Sequence, residues 1–266
     1  MNERDLYGPD LVASVHHATV AAYRATIVRS GGHEVDVAGL SCFVGLTPSP
    51  FIVNTAVRTG FVAAPAAALD AARETYASIG HAFLLMTSDG IDRELEGAAR
   101  DGGWHMVLEL PVMICRSSVP GAQLPAGVTL RRADPRADLV AFRDVAIAGF
   151  ATDADEVGAI HSVFAQPSAL DPADTEAFIA SVDGVDAAAA LVFVTGGLGM
   201  VEWVATAEAF RRRGLGAAVT RAATNAAFER GATLVALQAT PIGQPVYAGL
   251  GYEAISVDRL WWPPAA

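Results

Sequence analysis

The chain has 266 residues, is 52% apolar and carries a formal net charge of -11, which suits one large domain or two of about 130 residues and excludes a disordered chain. The acidic balance argues against nucleic-acid binding, where cationic surface supplies most of the affinity, and weakly favours cationic substrates. All 18 basic residues are arginine, so a lysine-dependent phosphate loop, Schiff base or kinase site is impossible.

In chain order, Leu11, Val15, Ala18 and Ile27 lie on a broad apolar stripe, predicting a helix over residues 9–29 that ends at Gly31-Gly32. Strand-like runs follow at 34–37, 41–46 and 51–57, the last two separated by Thr47-Pro48-Ser49-Pro50. A helix is expected over 65–79 with Pro65 at its start, then a strand at 81–87, a helix at 91–100 and a strand at 104–115. Residues 117–126, with Pro120, Gly121 and Pro125, form the best linker candidate.

The pattern then begins again. A strand is expected at 128–132, a helix at 138–150, and a second helix at 174–182 capped near Asp171-Pro172. Strands at 187–194 and 199–206 flank the turn Thr195-Gly196-Gly197. A long helix over 214–230 closes at Gly231, followed by a strand at 234–238, a short helix at 244–250 and a strand region at 252–262. Gly103-Trp104 and Gly251-Tyr252 hold the same place in each half. This order reads as a divergent internal duplication, against the alternative of two α/β halves alike by chance.

No apolar run approaches the roughly 18–20 residues needed to span a bilayer. Met1-Asn2-Glu3-Arg4-Asp5 does not open a signal peptide, so the expectation is a cytoplasmic protein. Cys42 and Cys115 lie far apart in apolar contexts and read as buried thiols, and the six histidines are scattered without metal-ligand spacing, so no metal is expected.

Chemistry concentrates between residues 199 and 252. A strand ending at Thr206 leads to Arg211-Arg212-Arg213-Gly214-Leu215-Gly216 at a helix start. Free N–H groups and the positive dipole end make an anion site there without lysine. The two glycines allow close backbone approach. Alone, the segment also reads as an ordinary basic turn. About thirty residues later comes Tyr247-Ala248-Gly249-Leu250-Gly251-Tyr252. With these two segments in order and a strand between them, residues 127–262 resemble the GNAT superfamily of acyl-CoA N-acyltransferases, whose motifs are (Arg/Gln)-x-x-Gly-x-(Gly/Ala) and Tyr-x-x-Leu-Gly-(Phe/Tyr).

The resemblance implies an α/β fold, a twisted mixed sheet flanked by helices, and acetyl-CoA as co-substrate. It implies that Val204, Ala205 and Thr206 run along the pantetheine arm. Arg211, Arg212, Arg213, Gly214, Leu215, Gly216 and Ala217 surround the pyrophosphate, and Tyr247 protonates the departing thiolate. A helix-packing aromatic is the other reading of Tyr247. Glu202 is the candidate base, because period-two alternation puts Glu202, Val204 and Thr206 on one face; an exposed strand-start carboxylate and a water chain are the alternatives. The asparagine frequent in the family before the tyrosine is missing; Thr240 stands seven residues ahead of Tyr247.

The N-terminal half has no such loop, and Ala99 stands where Tyr247 would. The division read from the sequence is a degenerate GNAT-like domain over 1–116, a linker over 117–126 and an active domain over 127–266. The expected function is acetyl transfer to a primary amine, on a small molecule or a peptide, by a monomer or homodimer. A non-catalytic acyl-CoA sensor or assembly module is the alternative; the presence of Tyr247 beside Gly214 and Gly216 favours catalysis.

Overall fold

A computed structural model describes residues 9–51 and 53–264. The first half runs α1 (Pro9–Arg29), β1 (His33–Val37), β2 (Leu40–Val44), β3 (Thr55–Arg58), α2 (Pro65–Ile79), β4 (Leu84–Ser88), α3 (Arg93–Asp101) and β5 (His105–Cys115). The second runs β6 (Val128–Arg132), α4 (Leu139–Phe150), α5 (Ala154–Val163), β7 (Thr175–Val182), β8 (Val185–Thr195) and β9 (Leu198–Thr206), then α6 (Leu215–Glu229), β10 (Leu234–Gln238), α7 (Gln244–Gly249) and β11 (Glu253–Trp262). Among the described residues no helix is long and apolar enough to cross a membrane.

All eleven strands form one mixed sheet, in the order β1-β2-β3-β4-β11-β5-β10-β9-β8-β7-β6. The chain's last strand, β11, lies between β4 and β5, while β5 lies between β11 and β10. Each half thus inserts its final strand beside a strand of the other. Only β3–β4 and β9–β10 pair in parallel among the described residues. Each of these pairs is joined by a crossover helix, α2 or α6, as parallel pairing requires.

Helices α2 and α6 cover one face of the sheet, over clusters that include Tyr76, Leu85 and Trp261 in the first half and Val219, Val235 and Tyr252 in the second. The opposite face carries α1, α4 and α5. Its main cluster runs from Phe43 and Met86 through Leu110 and Leu260 to Phe142 and Ile160, and is continuous across both halves. Residues 116–127 hold no helix or strand, yet Val119 is fastened to α6: its N–H donates to Asn225 Oδ1 at 2.7 Å and its carbonyl accepts from Asn225 Nδ2 at 3.0 Å.

Three expectations need correction. Residues 174–182 are not a helix: Thr175–Val182 is β7, which pairs with β6 and β8 and is almost wholly buried. A strand covered on both faces reads as a continuous apolar run, which periodicity alone does not separate from a helix. Helix α5 was not anticipated, although its signal stands in the sequence: the Asp153 side chain accepts from Glu156 N–H at 2.9 Å, a cap three residues before a glutamate. The strand expected at 51–57 begins only at Thr55. Before it, the Asn54 side chain holds the proline loop, donating to Thr47 O and Ser49 O, each at 2.8 Å, and accepting from Gly45 N–H at 3.0 Å.

Candidate active site

Strands β9 and β10 pair only through Leu198–Leu234, Val235–Gly199 and Ala236–Met200. Both continue beyond that point, β9 to Thr206 and β10 to Gln238, so the sheet opens into a split. Extending the register, Glu202 and Gln238 stand opposite each other on its two edges. Backbone groups on these inner edges lie beyond the ladder and are free for an extended ligand.

On the other side of β9, Leu191 faces Glu202 and Ala189 faces Ala205, so Trp203 and Val204 together oppose Ala190. This is a β-bulge, with Trp203 at φ 55°, a costly backbone for a bulky residue and one that collects at functional sites. The bulge corrects the face assignment made from alternation. Met200 packs on the α1 side and Trp203 and Ala205 on the continuous α1/α4/α5 side, while Val204 packs against the α6 cluster. Glu202 and Val204 therefore point to opposite faces. The Trp203 ring sits edge-on to Phe164 and Phe150, with centroids at 4.8 and 5.8 Å.

Glu202 is half-buried. Removal from water pushes its carboxyl up to about 7. It faces α1, where its charge, after burial itself, helps raise the pKa of the Tyr23 phenol. The Tyr23 hydroxyl donates to Gln238 Oε1 at 3.4 Å, and Gln238 Nε2 donates to Asp258 Oδ2 at 2.6 Å. Asp258 is buried, and burial raises its pKa; its other oxygen has no partner among the described residues. None of Tyr23, Gln238 or Asp258 was legible as a site residue. They come from α1, β10 and β11, and no local motif joins them.

The loop after β9 has the form of an anion cradle. Arg212 at φ 66° and Gly214 at φ 76° both take the left-handed conformation, which turns successive N–H groups outward. The first α6 bond runs from Ala218 N–H to Gly214 O at 3.0 Å. The N–H groups of Leu215, Gly216 and Ala217 thus precede the helical ladder and point along its positive end. A Cβ on Gly214 would meet open space, and one on Gly216 only Thr206 Oγ1 at 3.5 Å. The three arginines are not equivalent. Arg211 is occupied, donating to Thr206 O at 3.3 Å and to Gly149 O at 3.2 Å near the end of α4. Arg213 lies over the Phe210 ring at 5.5 Å, and Arg212 is exposed. The Leu215 side chain is buried in the core, so only its backbone faces the cradle.

Tyr247 projects from α7 into the α6-side cluster. Its ring lies over Gly243, where a Cβ would come within 2.7 Å of Cε2 and 3.1 Å of the hydroxyl. Burial pushes the phenol up to about 12. Glu202 and Tyr247 thus lie on opposite faces of the sheet, the carboxyl toward α1 and the phenol toward α6.

In the first half, pairing of β3 with β4 ends at Val57–Met86. Arg58, the last residue of β3, forms an ion pair with Asp92, whose Oδ2 accepts from Ser88 N–H at 2.8 Å. The two halves turn alike after their last helices: Gly103 at φ 76° and Gly251 at φ 90° let Trp104 N–H reach Ala99 O at 2.9 Å and Tyr252 N–H reach Tyr247 O at 3.1 Å. Ala99, buried, stands where Tyr247 does.

A model of the Acetyltransferase (GNAT) family matches residues 105–252, more than half of the chain. The chain belongs to the GNAT family. Among solved structures it is similar to a GCN5-related N-acetyltransferase from Kribbella flavida, at 25% identity and TM-score 0.71 over 93% of this chain and 96% of that one. It is also similar in fold to a GCN5-related N-acetyltransferase from Sphaerobacter thermophilus, at 16% identity and TM-score 0.60 over 84% and 76% of the two chains. A tandem GNAT protein from the clavulanic acid biosynthesis pathway aligns at 16% identity and TM-score 0.59, over 85% and 79%. No curated protein sequence matches the chain. As a GNAT protein it is an acyl-CoA N-acyltransferase, with the mixed α/β sheet and flanking helices of that fold.

Proposed function

We propose that this GNAT protein transfers an acetyl group from acetyl-CoA directly to a primary amine. Glu202 and Tyr247, on opposite faces of the opened β9–β10 pair, are the observation that carries the proposal. The cradle of Arg212, Arg213, Gly214, Leu215, Gly216 and Ala217 holds the pyrophosphate, with Arg211 bracing the loop against α4. The split edge at Val204, Ala205 and Thr206 takes the pantetheine arm through backbone groups. The open space over Gly214, with Thr206 Oγ1 beside Gly216, fits a phosphate brought close to the backbone.

An alkylammonium of pKa about 10 is not nucleophilic until it loses a proton. Glu202 takes that proton, and a carboxyl raised toward 7 is a stronger base than an ordinary one. Tyr247, held neutral by burial, gives its proton to the departing thiolate. The bulge at Trp203 leaves N–H groups outside the ladder, which suit polarisation of the thioester carbonyl.

Residues 1–116 form a degenerate GNAT-like copy, residues 117–126 link the halves, and residues 127–266 carry the chemistry. The acceptor is a small-molecule or peptide amine, met in the cytoplasm by a monomer or homodimer and without nucleic acid. The test is acetyl-CoA-dependent thiol release across polyamines, amino acids, aminoglycosides and peptide N-termini. Acetylation of at least one class supports the proposal; acetyl-CoA binding without thiol release on any of them makes the protein a sensor instead.

A further inference from the structure

We propose that Tyr23, carried by helix α1 of the N-terminal half, binds the acceptor ammonium together with Glu202 and Gln238, so that the acceptor side of the split is completed by the half that lacks the cofactor loop. The inference rests on the amine-acetylation proposal above and adds to it a residue set.

The geometry starts at Gln238. Its amide nitrogen is committed to Asp258 Oδ2 at 2.6 Å and lies 3.3 Å from Met86 Sδ. That fixes Oε1 toward the split, where it meets the Tyr23 hydroxyl. The Tyr23–Gln238 contact, at 3.4 Å, is long for an O–H···O bond, for which about 2.5–3.0 Å is usual. Glu202 has no hydrogen-bond or ion-pair partner among the described residues, and its charge reaches Tyr23.

Three oxygen acceptors therefore border one place: the Glu202 carboxylate, the Tyr23 hydroxyl oxygen and Gln238 Oε1. All three side chains are half-buried rather than sealed. A primary ammonium presents three donors and no acceptor, and matches this set. Behind it lies buried Asp258, with one oxygen unpartnered among the described residues. The Tyr23 ring is itself stacked on Phe43, with centroids 6.4 Å apart, so the hydroxyl is held in place by packing within the N-terminal half. A purely structural tyrosine would place its hydroxyl in one good bond. This one makes a single long contact and has capacity to spare.

The experiment uses the full chain, acetyl-CoA and ethylamine, a primary amine too small to bring contacts of its own. Tyr23→Phe keeps the ring stack. It is expected to raise KM for ethylamine about tenfold or more, the size of one charge-assisted hydrogen bond, with kcat and the KM for acetyl-CoA changed by less than about twofold. An unchanged ethylamine KM overturns the assignment of Tyr23. So does an equal rise in the acetyl-CoA KM, which marks general damage to the fold. A wild-type chain that is stabilised by acetyl-CoA but acetylates no amine overturns the amine-transfer proposal itself, and is seen before any variant is compared.

Discussion

Asp258 of β11 and Leu110 of β5 face one another across the central antiparallel pair, each six residues beyond the aromatic, Tyr252 or Trp104, that follows its half's last helix. Around this pair the register is mirrored: Leu260 lies opposite Leu108, and Ser256 opposite Val112. The two halves thus exchange their final strands about a local twofold. The exchange buries β5 and β11 in mid-sheet, where neither leaves an open edge.

Residues 117–266 expressed alone lack β5 and leave the edges of β10 and β11 unpaired. That fragment is expected to be insoluble or unfolded, and co-expression with residues 1–116 to restore a soluble complex. Circular dichroism and size-exclusion chromatography decide the matter. A monomeric, folded fragment that binds acetyl-CoA by itself counts against any need for the exchanged strand.

Glu202 has a definite pH signature. Its folded pKa, about 7, lies above the ordinary value of about 4.3. Its contribution to stability is full below the ordinary value, is lost as pH rises through about 7, and stays lost above. Glu202→Gln removes this loss, so its melting temperature relative to wild type should be higher at pH 8 than at pH 4. In turnover, kcat should rise through an apparent pKa near 7 in the wild type, and fall about 10²–10⁴-fold with loss of that limb in the variant. A pH-independent difference in melting temperature removes the case for a perturbed carboxyl.

Tyr247→Phe should keep acetyl-CoA binding, read as thermal stabilisation, and lose kcat by about 10²-fold or more. Gly243→Ala tests the same residue from outside, because its Cβ would collide with the Tyr247 ring. It should lower kcat while leaving the stabilisation by acetyl-CoA largely in place. Wild-type turnover in both variants would take Tyr247 out of the mechanism.

Gly216→Val separates cradle from fold. Outside its own helix backbone, a Cβ there meets Thr206 Oγ1 at 3.5 Å, an ordinary contact, among the described residues. Stability should therefore change little, since valine is no poorer a helix former than glycine, while the added methyls occupy the space before the first-turn N–H groups. The expected outcome is a near-normal melting temperature that acetyl-CoA no longer raises. A retained ligand shift would move the phosphate site elsewhere.

The sequence by itself determined the family, because Arg211–Gly216 and Tyr247–Tyr252 are local motifs whose spacing follows from one helix start and one turn. It also marked α1, α2, β10 and the hairpin at Gly196-Gly197, where caps, prolines and glycines punctuate clear periodicity. It misread 174–182, since a strand buried on both faces has no polar alternation to reveal it. It put Glu202 and Val204 on one face, since the bulge at Trp203 is a tertiary adjustment that a period of two does not anticipate. Only the folded chain decided that β11 returns between β4 and β5 and that Tyr23 of α1 reaches Gln238 on β10. Those contacts join residues separated by much of the sequence, and their energy comes from pairing and burial across the sheet, to which no local pattern is tied.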